Sequence, residues 1–174
     1  RLYGRRVVVG HPKADCTHVI LSGSGTYLYP LLTSVNSIIH NSRGHMCFHV
    51  IVAKDDLFWM KSQLKLLLGS RHSADILEFN ERRVQPFSRV WNRADTERLG
   101  NSLNFARFYL SDLFPSVGLA LYVDPDTIVL SDIGELVEEL RPYSLAHNAS
   151  VPFFAASKAD HIRLSQRTYF YRLG

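Results

Sequence analysis

Leu119 to Val129 reads LALYVDPDTIV, an apolar run from Leu119 to Val123 that ends in two acids one residue apart, Asp124 and Asp126. An apolar run of that length bounded by turn residues predicts a buried strand, and Pro125 ends its ladder because it has no backbone donor. Two carboxylates therefore stand where a central strand leaves an α/β sheet, the edge at which such sheets bind ligands. Paired carboxylates suit a hard divalent cation, Mg²⁺ or Mn²⁺, which can in turn hold a diphosphate. Asp-Pro-Asp is also ordinary turn chemistry, with an Asp that caps, a Pro that presets φ and a second Asp that caps the next element. Taken alone, the segment supports both readings.

Outward from this strand the chain alternates. His18 to Leu21 predicts a short strand, followed by the small-residue turn Ser22-Gly23-Ser24-Gly25 and a helix from about Tyr29 to His40. On that helix Leu31, Leu32, Val35, Ile38 and Ile39 share one face, and Pro30 suits the first turn. Met46 to Ala53 predicts a second strand. Asp55 and Asp56 then open a helix through about Leu68, favourably placed for its dipole, and Gly69 closes it. Ile76 to Phe79 predicts a third strand, residues 80–100 an arginine-rich surface loop, and Ser102 to Phe114 a helix stopped by Pro115. After the acidic strand a short helix is expected from Ile133 to Leu140, with Asp132 as its cap. Strands alternating with helices in this way imply an α/β fold with a mainly parallel sheet. Residues 1–17 read as a surface lead-in, and Ser144 to Gly174 carries no clear period and ends in the apolar TYFYRLG.

Composition narrows the function classes. The chain has 174 residues, 46% hydrophobic and 21% charged, enough for one domain with a sizeable core. It contains no uncharged apolar run of about 18 residues, so no membrane span is expected. A net charge of +4 is scattered rather than blocked, which does not indicate a nucleic-acid tail but fits an anionic ligand such as a nucleotide diphosphate. Cys16 and Cys47 are too few for a disulfide scaffold and lack zinc spacing, and Cys47, within MCFHVIVA, reads as a buried strand residue. Asn148-Ala149-Ser150 is a glycosylation acceptor pattern, a pointer toward a secretory compartment. His18, His49 and His147 carry no pairing signal and read as structural or solvated.

Three segments in order, HVILSGSGTYLYPLLTSVNSI, NFARFYLSDLFP and LYVDPDTIVLSDIGEL, resemble the retaining glycosyltransferases of family 8, which include glycogenin, plant galacturonosyltransferase-like proteins and animal glucoside xylosyltransferases. The resemblance implies a GT-A-type, Rossmann-like nucleotide-binding domain over residues 18–174, behind the lead-in, with the acceptor half and a third metal ligand, a histidine, beyond Gly174. It implies a UDP-sugar donor, a glycan or glycoprotein acceptor, Mn²⁺ (or Mg²⁺) as cofactor, and a Golgi or secretory lumen. By position, Ser22 and Ser24 would lie near the uracil and Tyr27 would stack on its face, since an aromatic ring suits a flat base. Tyr27 also reads as a half-buried residue at a helix start. Where the family often carries an acid to read the uracil edge, this chain has Ser24.

Arg107 would approach the donor sugar or diphosphate, or hold Asp124 or Asp126 through an ion pair, against the commoner fate of a surface pair on its helix. Asp124 would bridge ribose and metal, and Asp126 would ligate the metal. A phosphohydrolase of the haloacid dehalogenase type also ends a strand in Asp-x-Asp. Its motif places Thr or Val four residues after the first acid, where this chain has Ile128, and it opens its domain. The alternative from another class is a catalytically silent domain of the same family, serving as a structural or interaction subunit for a protein partner.

Overall fold

The computed structural model describes residues 3–80, 102–146, 154–156 and 170–172. Two compact units divide the chain, Arg1–Glu139 and Leu140–Gly174. The first is built on a five-stranded sheet ordered β1-β4-β3-β2-β5, with β1 Tyr3–Val9, β2 Thr17–Ser22, β3 Met46–Val52, β4 Ser73–Phe79 and β5 Leu121–Tyr122. Strands β2 to β5 run parallel, and β1 adds antiparallel to the β4 edge. Helices α1 (Leu28–Asn41) and α2 (Leu57–Leu68) make the β2-to-β3 and β3-to-β4 crossovers. A 3-10 helix, Ser102–Tyr109, runs into the short α3 (Leu110–Leu113), and α4 spans Ile133–Ala146. The second unit contains the antiparallel pair β6 (Phe154–Ala156) and β7 (Phe170–Arg172).

Every residue of β3 is buried, so both faces of the sheet must be covered. Alternation along the strands sorts the cover into two layers. On one face Val19, Leu21, Phe48 and Val50 pack with Leu31, Val35 and Ile38 of α1 and Leu57, Met60 and Leu64 of α2. Each such side chain contributes about 1.5–3 kcal/mol through removal from water. On the other face Ile20, Ile51, Leu77 and Phe79 pack under Leu103, Ala106, Leu113 and Phe114. Apolar contact thus clamps the 102–114 segment across the sheet, which fixes the direction of its polar residues. Gly69 ends α2 at φ +58, a left-handed conformation that side chains disfavour.

Successive connections carry the chain from β2 to β3 to β4 in one direction, whereas β5 lies on the other side of β2. The topological switch point therefore falls at the carboxyl ends of β2 and β5.

Several expectations are corrected in detail. Within the supposed lead-in, Tyr3–Val9 is an edge strand; its Gly4, Arg5 and Arg6 are exposed, as an edge open to water allows. Among the described residues the acidic strand is ladder-paired at Leu121 and Tyr122, with β2. The third strand starts three residues earlier than Ile76, at Ser73, where it pairs with Cys47. Residues 102–109 are 3-10 rather than α, and α4 continues through Pro142. Asp132 caps α4 as expected, its Oδ1 accepting the Gly134 N–H at 2.8 Å. The arginine-rich stretch from 81 to 101, His147 and the Asn148 triplet lie outside the described residues.

Cys16 and Cys47 form a disulfide, Cα–Cα 5.7 Å, across the amino ends of β2 and β3. Cys47 is the buried strand residue anticipated, but its pairing is not foreseen by cysteine count alone. The bridge joins residues 31 apart. Removing it by Cys47→Ser should lower the unfolding free energy in denaturant titration by about 3–4 kcal/mol, and dithiol-treated wild type should lose as much. An unchanged midpoint in both would show that the bond does not hold the fold.

Candidate functional site at the ends of β2 and β5

Asp124 and Asp126 occupy a β-turn directly after β5. The Thr127 N–H donates to the Asp124 carbonyl at 3.1 Å, with Pro125 at the second position, where its fixed φ belongs. The turn reading of Asp-Pro-Asp therefore holds, and it is the turn that presents both acids. Both are exposed, beyond the last ladder contact, where the Val123 N–H donates to the Ile20 carbonyl at 2.9 Å.

Arg107 comes to this turn from the covering 102–114 segment. Its Nη2 donates to Asp124 Oδ1 at 3.1 Å and its Nε to the Asn104 carbonyl at 3.1 Å. The Arg107 guanidinium carbon stands 5.0 Å from the centroid of the Tyr122 ring. The two side chains of the ion pair are 40% and 53% exposed, so water screens it and its own contribution to stability is small, about 0–1 kcal/mol. Its significance is positional. A cation and an anion are held together at the switch point without being sealed from a ligand.

Ser22, Ser24 and Tyr27 line the turn after β2. Ser22 is buried, and its Oγ lies 2.7 Å from the Tyr122 hydroxyl and 3.5 Å from the Leu103 carbonyl. Ser24 is half-buried at the start of a 3-10 turn, Gly25–Tyr27, where its carbonyl accepts the Tyr27 N–H at 3.1 Å. Tyr27 exposes half of its surface, 50%. Gly25 sits at φ +56, and its N–H donates to Asp56 Oδ2 at 3.3 Å. Asp56 stands at the N-cap of α2 but makes no capping hydrogen bond to that helix; it braces the neighbouring turn instead. The structure thus brings Ser22, Arg107 and Asp124 into one connected group, with Asp126 in the same turn as Asp124. Ser24 and Tyr27 stand at the end of the adjacent strand.

Tyr122 was missed by sequence reasoning, although it lies at the end of the strand, two residues before Asp124, where an extended chain would put the two on one side. Burial pushes its phenol above the usual range, and the Ser22 hydrogen bond and the Arg107 charge oppose this only in part. It stays a neutral donor at physiological pH.

A metal would need oxygen ligands here. Asp124 and Asp126 supply a hard, anionic donor set, and Mg²⁺-type sites commonly complete their shell with water and substrate phosphates. The side chains present fit such a cation. Among the described residues the one group of three potential ligands is elsewhere: Cys16, His18 and Cys47, within 4.8 Å of one another. Both of its sulfurs are engaged in the disulfide, so it offers no thiolates.

That second cluster is nevertheless ordered. His18 Nδ1 lies 2.9 Å from His49 Nε2, and His49 Nδ1 faces Asp75 Oδ2 at 3.6 Å, too long for a hydrogen bond. Arg6 pairs with Asp75 from the edge strand. Burial, and then the neighbouring His49, hold the His18 pKa below its ordinary value of 6.5. Burial raises the Asp75 carboxyl, but His49 and Arg6 outweigh it and leave the pKa low. The histidine pairing corrects the reading of His18 and His49 as unpaired. A depressed histidine pKa means that the unfolded chain takes up the proton first. Stability should accordingly be undiminished above pH 6.5 and fall as the pH drops below it. Denaturant midpoints measured at steps from pH 7.5 to about 5 should show this slope, and His18→Asn should flatten it. A wild-type slope retained in full by the variant would assign the loss to other groups.

Comparison with known proteins places these observations. Residues 18–146 match the family model described as glycosyl transferase family 8. Glycosyltransferase 8 domain-containing protein 1 of Xenopus tropicalis is 32% identical over 125 residues, 71% of this chain and 33% of that protein. Probable galacturonosyltransferase-like 6 of Arabidopsis thaliana is 29% identical over 122 residues, 68% of this chain and 34% of its own. The chain thus spans about a third of the length of the curated relatives it matches. The apo crystal structure of mouse xyloside xylosyltransferase 1 superimposes with a TM-score of 0.52 at 14% identity, over 74% of this chain and 49% of that one. That likeness identifies the fold as GT-A-type.

Proposed function

The chain belongs to glycosyltransferase family 8, and from that premise we propose that it is the donor-binding part of a retaining, metal-dependent enzyme that moves a sugar from a UDP-sugar to a glycan or glycoprotein acceptor. The observation that carries this reading is the Arg107–Asp124 pair, 3.1 Å, at the switch point of the sheet. A nucleoside diphosphate is anionic at its phosphates and flat at its base, and the site offers a complement to each.

Tyr27, half exposed beside the β2 turn, offers the stacking face for uracil. Gly25 keeps the backbone of that turn open, and Asp56 holds it from the side. Ser24 lies at the base of the turn. Ser22, turned inward onto Tyr122, supports the site from below. Asp124 and Asp126 would hold Mn²⁺ or Mg²⁺, which when bound supplies positive charge to the diphosphate leaving group. Arg107 adds a fixed cation on the same side. Its guanidinium is already oriented, so little reorganisation is needed as negative charge grows on the departing phosphate oxygen. Arginine suits this role because its planar fork matches phosphate oxygens.

The Cys16–Cys47 bridge supports the compartment reading, since disulfides persist in oxidising lumens and are rare in the cytosol. A Golgi or secretory-pathway lumen fits both the bridge and the acceptor class. No helix among the described residues is long and apolar enough to cross a membrane.

Calorimetric titration of UDP with Mn²⁺, and again with EDTA, tests the proposal. Wild type should bind only with the metal, and Asp126→Ala should weaken that binding by at least about tenfold while leaving the unfolding midpoint in place. Equal binding in the variant would remove Asp126 from the site. Binding indifferent to EDTA would remove the metal.

A further inference from the structure

Tyr122 lies between two residues of the site without being exposed as a ligand contact. Along β5 it pairs with Ile20 of β2, which places its side chain on the face that carries Ser22 two residues further on. Ser22 Oγ lies 2.7 Å from the Tyr122 hydroxyl, a contact in which either oxygen can donate, and 3.5 Å from the Leu103 carbonyl. Anchored at its tip, the ring cannot swing, and its face carries the Arg107 guanidinium 5.0 Å from the centroid. From there Nη2 reaches Asp124 Oδ1 at 3.1 Å.

The alternatives for holding Arg107 are weak. Its Nε bond to the Asn104 carbonyl lies three residues back in its own 3-10 turn, and that contact moves with the helix. The Asp124 pair is screened by water and is the one contact a bound cation would compete for. The aromatic face is the support that persists whatever Asp124 does. An electron-rich phenol face attracts a guanidinium without consuming its N–H groups, so they stay available to phosphate oxygens.

We infer that Tyr122 is a positioning residue for donor binding: pinned by Ser22, its ring holds the Arg107 guanidinium at the diphosphate side of the site while Asp124 is shared with the metal. The inference rests on the donor-site reading above. It also gives Ser22 a defined part, since a buried hydroxyl at the end of β2 acts on the nucleotide site through the tyrosine. The same chain, Ser22 to Tyr122 to Arg107 to Asp124, ties the carboxyl end of β2 to the acidic turn after β5.

A double-mutant cycle on the full chain separates this role from simple packing. UDP affinity with Mn²⁺ is measured for wild type, Tyr122→Leu, Arg107→Ala and the pair, with Tyr122→Phe as the conservative variant. Tyr122→Leu should weaken binding about five- to tenfold in the wild-type background and by less than about twofold once Arg107 is gone. Tyr122→Phe, which keeps the ring face and loses the Ser22 pin, should fall between, about two- to threefold weaker than wild type. Equal losses from Tyr122→Leu in both backgrounds would overturn the inference, because packing damage does not depend on Arg107.

A readout without ligand stands beside it. The Arg107 Nε–H signal in NMR should exchange slowly with water in wild type, fastest in Tyr122→Leu and at an intermediate rate in Tyr122→Phe. Unchanged exchange in Tyr122→Leu would show that the ring does not hold the guanidinium. If wild type binds no UDP, the donor reading fails, and the exchange rates still decide whether Tyr122 positions Arg107.

Discussion

The burial of β3 on both faces is the constraint from which the rest of the architecture follows. A strand with no exposed residue requires an apolar layer on each side, and the two layers here differ in kind. Amphipathic α1 and α2 supply one. The other is the 102–114 segment, which is short, largely 3-10, and fully buried through Leu103, Ala106, Leu113 and Phe114. Such a segment has little helical stability of its own, since 3-10 geometry is poor and short helices are marginal. Its place is set by what it buries. Arg107 follows directly after Ala106, which is fully buried, so docking of the apolar residues aims the arginine.

The sheet has two chemically distinct ends. Toward the amino half of the parallel strands lie the disulfide, the His18–His49 contact between β2 and β3, and the Asp75–Arg6 pair between β4 and β1, all of them contacts that tie strand to strand. At the carboxyl ends of β2 and β5 lie exposed carboxylates and a cation half open to water. Covalent and polar cross-strand links at one end leave the other solvated. This division agrees with the general behaviour of open α/β sheets, in which ligands gather beyond the strand carboxyl ends.

The repeating strand and helix pattern was legible because burial on both faces writes continuous apolar runs, as in MCFHVIV, and because α1 shows its apolar face at helical spacing. What escaped had a physical reason in each case. Tyr3–Val9 is an edge strand whose exposed arginines interrupt the apolar signal. Among the described residues β5 pairs over two residues, Leu121 and Tyr122, so its apolar run is longer than its ladder. The helix over Ser102–Phe114 was readable as helical but not as 3-10, since that choice is made by docking rather than by periodicity. The two cross-strand pairs left a trace that was overlooked: Cys16 with Cys47 and His18 with His49 are both 31 residues apart. Paired residues of β2 and β3 are 29 apart, so both pairs are diagonal neighbours two residues off that register, and one offset shared by two pairs is what parallel strands produce.

Of the candidate site, the acidic turn could be read because two acids close an apolar run and the alternation of the preceding elements located that strand end, whereas Arg107 was reached only through the family resemblance of its segment. The part played by Ser22 could not be read the same way. A serine in a small-residue turn looks like a ligand contact, and only the packing of Tyr122 shows its hydroxyl turned into the protein. The general point lies in the period of a strand. Residues at i and i−2 share a face, so the side chain two before a strand-end acid lies directly beneath the site that acid serves. Tyr122 occupies that position for Asp124, and a rigid aromatic there converts burial in the core into orientation at the surface. A site assembled in this way draws its precision from the sheet, and its exposed ion pair, screened by water, adds little to stability.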